Sequence, residues 1–179
     1  MMSPLAIIDR FYAQDDEQRQ LLLKHSWQVA ELALRCAARH EELGVDRALV
    51  LRGALLHDIG VFATHAPSIH CNGREHYLMH GFVGASLLRA FGMEAEARIC
   101  ERHTGAGLSA EAVRQAGLAI EVRDYFPETT EEKLVCYADK FFSKSHPDRV
   151  LTPEQAYQSL LRFGRDGAER FRQWHEMFA

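Results

Sequence analysis

Apolar residues recur through this chain at the three- and four-residue spacing of buried helix faces, and five of those stretches also carry a histidine or an aspartate. In chain order these are His25, the doublet His57-Asp58, His80, His103 and Asp139. A polar ring or carboxylate buried without a partner costs several kcal/mol or has its pKa displaced. A fold that buries these stretches must therefore bring the groups to partners, and a shared metal site would satisfy them together.

The same spacing predicts an all-α chain, a single-domain helical bundle over residues 1–179 with its core at about 21–145. No run of β-branched alternation is long enough to suggest a sheet. A long first helix is expected from about Asp15 to Glu42, with Leu22, His25, Val29, Leu32, Ala33 and Cys36 inward and a stop near Gly44. A second opens at Asp46, aligns Leu51, Leu55 and Asp58, and ends around Gly60. The third, from roughly Glu75 to Phe91, puts His80, Val83, Gly84 and Leu87 on one side. A fourth runs from Glu94 to His103, with Ile99, Cys100 and His103 sharing a face. A small helix follows from Ser109 to about Ala116. Thr129 and Glu132 form a capping box for a helix whose inner face holds Val135, Asp139 and Phe142. Thr152, Pro153 and Gln155 open C-terminal helices at 152–179 that pack on the core.

Composition narrows the function classes. The net charge of −4 gives no electrostatic footprint for nonspecific binding to nucleic acid or acidic membranes. The N-terminus lacks the basic and long apolar regions of a signal peptide, and no apolar run nears the roughly 20 residues that span a bilayer. Cys36, Cys71, Cys100 and Cys136 are widely spaced, which fits free thiols in a cytoplasmic protein; Cys71 is expected in a polar loop rather than in the core.

A lone histidine on an apolar face is more often a hydrogen-bonded core residue than a ligand. Here 10 histidines occur in 179 residues, six of them from His57 to His103, and four of the ten stand with two aspartates in the order His25, His57-Asp58, His80, His103, Asp139. At this point the chain resembles the HD-domain superfamily of metal-dependent phosphohydrolases, whose His-Asp doublet stands here in His57-Asp58-Ile59-Gly60. The resemblance covers roughly Leu21 to Ser145. It implies that His25, His57, Asp58 and Asp139 hold one ion, that His80 and His103 with Asp58 hold a second, and that Asp58 bridges them. Mixed imidazole and carboxylate donors suit iron or manganese, with zinc and magnesium also admissible.

The activity implied is hydrolysis of a phosphoester or phosphoanhydride of a small, nucleotide-like substrate by metal-activated hydroxide. HD-fold di-iron oxygenases acting on polyols or phosphonates look like the same ligand set, and some HD-related domains are regulatory modules without turnover. The six residues leave hydrolysis and oxygen chemistry both open. Basic groups near the expected ligands are Arg74, Arg102, Lys140 and Lys144, of which Arg102 and Lys140 adjoin ligands and are read with Asp58 as catalytic. His70, Arg74, Thr104 and Lys144 are read as substrate contacts, since the loop 70–74 and the turn 104–107 carry glycines that permit close approach to a ligand. His65 and His76 are expected at the surface, and His40, His146 and His175 at exposed helix ends.

Overall fold

A computed structural model describes residues 2–14 and 16–179. Helix α1 spans Pro4–Phe11: the Ser3 hydroxyl accepts from the Ala6 N–H, Pro4 sits at the first turn, and Ile7 and Ile8 are fully buried. The Ser-Pro opening signals this helix in the sequence, although the periodicity reading starts later. Helix α2, Glu17–Arg39, is capped by the Asp16 carboxylate, which accepts from the Arg19 N–H at 2.9 Å. Asp15, the expected start, lies outside the described residues. The inner face of α2 holds Leu22, His25, Val29, Ala33 and Cys36 as expected, whereas Leu32 is only partly buried at its edge.

Helix α3, Arg47–Leu56, begins at Asp46, whose side chain accepts from two backbone N–H groups, and ends four residues before Gly60. His57-Asp58-Ile59-Gly60 is thus a buried turn rather than the last helical turn, and it leads into a 3-10 turn at Val61–Ala63. The third expected helix is also shorter. His76 accepts from the Leu78 N–H through its ring, Tyr77–Met79 form a 3-10 turn, and α4 proper runs His80–Ala90. Helices α5 (Glu94–Arg102), α6 (Ala110–Gln115), α7 (Thr130–Asp139), α8 (Pro153–Leu161) and α9 (Arg165–Phe178) follow. The capping boxes of α7 and α8 form as the sequence predicts.

Two small antiparallel sheets are the departure from the expected helical chain. Strands β1 (His65–Ala66) and β2 (Cys71–Asn72) pair His65 with Asn72, and β3 (Phe142–Ser143) and β4 (His146–Val150) pair Phe142 with Val150. Strands of two to five residues are too short to carry a period-2 signal. The first sheet also explains Cys71: its loop folds back on α2, so the thiol is 1% exposed and takes a hydrogen bond from the Gln18 amide. His146 lies in β4, not at a helix end, and His175 is half-buried with Nδ1 beside the Tyr137 hydroxyl at 2.9 Å.

Packing joins α2 to α3 and α7, α4 to α5, and α8 to α9. The apolar interior has two main parts. Val29, Ala54, Ile99 and the Leu134–Ala138 stretch belong to one, which also takes Phe171 and Phe178 from α9; Leu22, Leu56, Ile59, Ala85 and Cys100 belong to the other. Along α2 the boundary falls between Leu22 and Val29, and along α3 it falls at Leu55 and Leu56. His25 and His57-Asp58 lie on that seam.

Candidate metal centre

The six predicted side chains meet. His25, His57, Asp58, His80 and His103 are at most 2% exposed and Asp139 is 8% exposed, although they come from α2, the turn after α3, the start of α4, the end of α5 and the end of α7. Asp58 sits at the middle, and its two oxygens face different partners. Oδ2 is 3.3 Å from His25 Nε2 and 3.2 Å from His57 Nε2; Oδ1 is 3.4 Å from His80 Nε2 and 3.3 Å from His103 Nε2. Asp139 Oδ1 completes the first set, 2.9 Å from His25 Nε2.

Local helix geometry aims the rings. His57, His80 and His103 each direct Nδ1 at the carbonyl three residues earlier: Ala54 at 2.7 Å, Tyr77 at 2.6 Å and Cys100 at 2.7 Å. A carbonyl only accepts, so Nδ1 carries a hydrogen in all three, and Nε2 is the atom whose lone pair faces the centre when the ring is neutral. Glycines set the approach of the elements. A Cβ on Gly60 would lie 2.2 Å from the His80 carbonyl oxygen, and one on Gly81 would lie 2.6 Å from the Cys100 carbonyl oxygen. Their absence lets the doublet turn meet α4, and lets α4 meet α5.

Electrostatics follow from this crowding. Burial works against charge on His57, yet Asp58 and Asp139 overcome it and raise its pKa to about 9. His80 is the opposite case, since burial outweighs Asp58 and pushes it down to about 3; burial lowers His103 as well. Burial likewise opposes ionisation of Asp58 and Asp139, but Lys144 and His57 around the first, and Lys140 and His25 around the second, hold both carboxyls well below their usual range.

The donor set fits divalent cations. His80 Nε2 and His103 Nε2 are 3.0 Å apart, both rings donate through Nδ1, and Asp58 Oδ1 beside them has no hydrogen-bond partner. Three lone-pair atoms therefore converge in a buried place, which a cation stabilises and neutral packing does not. The donors of His25, His57 and Asp58, of Asp58, His80 and His103, and of His57, His103 and Asp139 lie within 4.8 Å of one another in each group. These overlapping triads fit a binuclear divalent centre with nitrogen and oxygen ligands.

Of the expected basic residues, two reach this centre. Lys144 Nζ is 2.5 Å from Asp58 Oδ2, and Lys140 Nζ is 2.6 Å from Asp139 Oδ2 and 3.0 Å from the His103 carbonyl. Both line a cavity of about 510 Å³ that also touches Asp139, Tyr77, Phe142 and Phe163. Arg102 is placed elsewhere: its guanidinium binds Glu128 and the Phe126 carbonyl in a mostly buried network, because its position on α5 turns away from that of His103. His70 is exposed, in a left-handed conformation, with Glu17 at 3.1 Å; Arg74 is exposed, and neither lines the cavity. Thr104 is buried beside His103 with its hydroxyl unpartnered, and Gly105 rather than Thr104 reaches the cavity.

Tyr77 is a residue the sequence reading passes over. Its ring lies against His80 with centroids 4.6 Å apart, and its carbonyl fixes the His80 tautomer. The signal available was its position three residues before a ligand histidine. Cys136 and Cys100 are buried thiols that donate to the carbonyls of His103 and His57 at 3.2 and 2.9 Å.

Residues 22–143 match the family described as HD domain. A tRNA (cytidine(56)-2'-O)-methyltransferase of Picrophilus torridus is 35% identical over 87% of this chain and 41% of its own length. An uncharacterized protein of Methanocaldococcus jannaschii, MJ0778, is 40% identical over 66% of this chain and 64% of its own length. The chain therefore spans less than two thirds of these relatives. Among solved structures, the HD domain of the L. monocytogenes phosphodiesterase PgpH superposes with a TM-score of 0.57 at 18% identity, over 93% of each chain, which shows a common fold. With the His-Asp doublet at the centre of a six-residue ligand cluster and the family match running through every helix that contributes to it, this chain belongs to the HD-domain family.

Proposed function

We propose that this chain is a metal-dependent phosphohydrolase that cleaves a phosphoester or phosphoanhydride of a small, nucleotide-like molecule. The observation that carries the reading is the meeting of two ammonium groups, Lys140 and Lys144, with the carboxylates of a two-ion ligand cluster at one cavity wall. A phosphoryl group brings negative charge on several oxygens, and fixed cations beside it stabilise the charge that develops in displacement. Two bound divalent ions would supply Lewis acidity and lower the pKa of water.

The chain's own residues do the rest. His25, His57, Asp58 and Asp139 form one ligand set, and Asp58, His80 and His103 form the other, with one Asp58 oxygen turned to each. Burial opposes the charge on Lys144 and Lys140, but Asp58 and Asp139 raise their pKa values, so both stay protonated and face the cavity as fixed positive charges. Tyr77 holds its proton, since burial raises its pKa, and can donate a hydrogen bond to a substrate oxygen. The floor, buried except where Asp139 meets the cavity, limits bulk water at the ligand atoms and strengthens each of these interactions.

Phosphate release from a panel of nucleotides and simple phosphoesters, measured with manganese, iron, zinc and magnesium, tests the reading. Metal-dependent release that a chelator abolishes is expected. Substrate-dependent oxygen consumption by the iron-loaded protein without phosphate release would instead assign it to the oxygen-using chemistry of the same ligand set.

A further inference from the structure

We propose that a groove next to the metal cavity is a second phosphate subsite, formed by Arg149 and Arg162, and that Phe163 is a stacking platform for a base. The substrate would then be a dinucleotide-like phosphoester carrying a phosphate beyond the one that reacts. This deepens, and rests on, the phosphohydrolase reading.

Three observations lead to it. First, the groove, of about 350 Å³, shares Ser143, Leu151 and Ser159 with the metal cavity, so one ligand can occupy both without leaving the surface. Second, the groove carries Arg149, Arg162 and His146, and neither arginine has an ion-pair partner among the described residues. Other arginines are ion-paired, Arg98 and Arg102 with Glu128, Arg89 with Glu94 and Glu101, and Arg52 with Glu96, whereas Arg149 and Arg162 belong with Arg39, Arg47, Arg74 and Arg165 among those that are not; of these, only Arg149 and Arg162 line this groove. Glu154 also lines the groove, where its carboxylate accepts from the Gln158 amide and leaves the two guanidinium groups in excess by one charge. Arg162 caps the C-terminal end of α8, whose partial negative charge favours a cation there.

Third, Phe163 lines the metal cavity while 88% exposed, next in sequence to Arg162. An aromatic face left open at the rim of a phosphate-directed cavity is suited to a nucleobase, since every base offers a π-face. Two guanidinium groups present planar forks of donors that match phosphate oxygens, which ammonium groups do not. The metal cavity takes the reacting phosphate beside Lys140 and Lys144, Phe163 covers the base, and the groove takes the next phosphate. All three residues lie beyond the segment that matches the family, so the subsite belongs to this chain's C-terminal part.

The test uses the full manganese-loaded chain and two deoxyadenosines joined by a phosphorothioate that resists cleavage, with and without a terminal phosphate. Isothermal titration calorimetry is expected to give about tenfold tighter binding of the phosphorylated ligand. The exposed double variant Arg149→Ala/Arg162→Ala should bring that ratio to about one. Phe163→Ala should weaken both ligands about tenfold without changing the ratio, and should leave an abasic counterpart unaffected. A ratio near one in the unsubstituted protein, or a ratio that survives the double variant, overturns the proposal. Metal-dependent cleavage of bis(p-nitrophenyl) phosphate, which has neither a base nor a second phosphate, reads the phosphohydrolase reading separately. Cleavage without the affinity ratio removes the subsite alone; the ratio without cleavage of any phosphoester removes hydrolysis alone.

Discussion

Gly60→Ala should remove one metal ion and leave the other. The added Cβ would sit 2.2 Å from the His80 carbonyl oxygen and 2.5 Å from the Gly84 nitrogen, both backbone atoms of α4 that no rotamer change can move. Relief to ordinary contact displaces the start of α4 from the doublet turn by about 1 Å. Metal–ligand distances tolerate only about 0.2 Å, so His80 leaves the coordination range of Asp58 Oδ1. His25, His57 and Asp139 lie on other elements and keep their positions. Overpacking of this kind costs about 1–3 kcal/mol, and in a chain of this length each kcal/mol lowers Tm by roughly 2–4 °C. Elemental analysis after dialysis should find two ions per chain in the unsubstituted protein and one in the variant, and calorimetry should find the second affinity lowered at least tenfold, as for loss of a residue that orients a ligand. Gly44→Ala is the control, since its Cβ meets nothing within 4 Å and only its left-handed backbone is strained. A Gly60→Ala protein that retains both ions at unchanged affinity would refute the close-approach argument.

Asp58→Asn should lose both ions, because one carboxylate serves both histidine sets, and in the metal-free chain it should also cost about 3–5 kcal/mol by leaving the buried Lys144 ammonium unpaired; elemental analysis and denaturant unfolding check the two effects. Lys144→Met should lower turnover about a hundredfold if its charge stabilises the reacting phosphoryl, with metal content retained; loss of metal instead would make it a structural partner of Asp58. Metal uptake near neutral pH should release the His57 proton, held up to about 9 in the metal-free chain, so apparent affinity rises with pH and the heat of binding depends on the buffer. The same shift has a sign for folding: the His57 ion pair stabilises the metal-free chain fully below its unfolded pKa near 6.5 and is lost as pH rises through about 9. His80, neutral when folded down to about 3, acts on the other side, and stability falls as pH drops below 6.5 because the unfolded chain takes up that proton. Thermal melts of metal-free protein across this range should show losses on both flanks.

Helical periodicity made most of the elements legible, and capping residues placed several starts to within a residue or two, as at Asp46, Thr129 and Thr152. Ends were harder to read. Nothing local announces that α3 stops at Leu56, because the doublet turn is held by packing against α4 and α5 rather than by a cap. The small sheets escaped for another reason, since strands of two to five residues are too short to carry a period-2 signal. Among basic residues, adjacency to a ligand in sequence did not fix adjacency in space: Arg102 lies against Glu128 and the Phe126 carbonyl, whereas Lys140 reaches Asp139 and the His103 carbonyl. One step along a helix rotates the side chain by about 100°, which takes the Arg102 side chain away from the His103 ring; Lys140 caps α7 and turns back along the carbonyl of His103.

The order of histidines and aspartates, each within an apolar stretch, determined by itself that this chain would bury a polar cluster, since solvent-facing stripes have no use for them and isolated burial is too costly. It also contained the tautomers in latent form, because a histidine at a helix end can reach the carbonyl three residues back. Tertiary structure alone decided which Asp58 oxygen faces which histidine pair, which lysines stand at the cavity and which arginine stays in an ion-pair network. Those outcomes depend on approaches of a few tenths of an ångström between elements distant in sequence, set by glycines whose missing side chains matter only when another backbone arrives beside them.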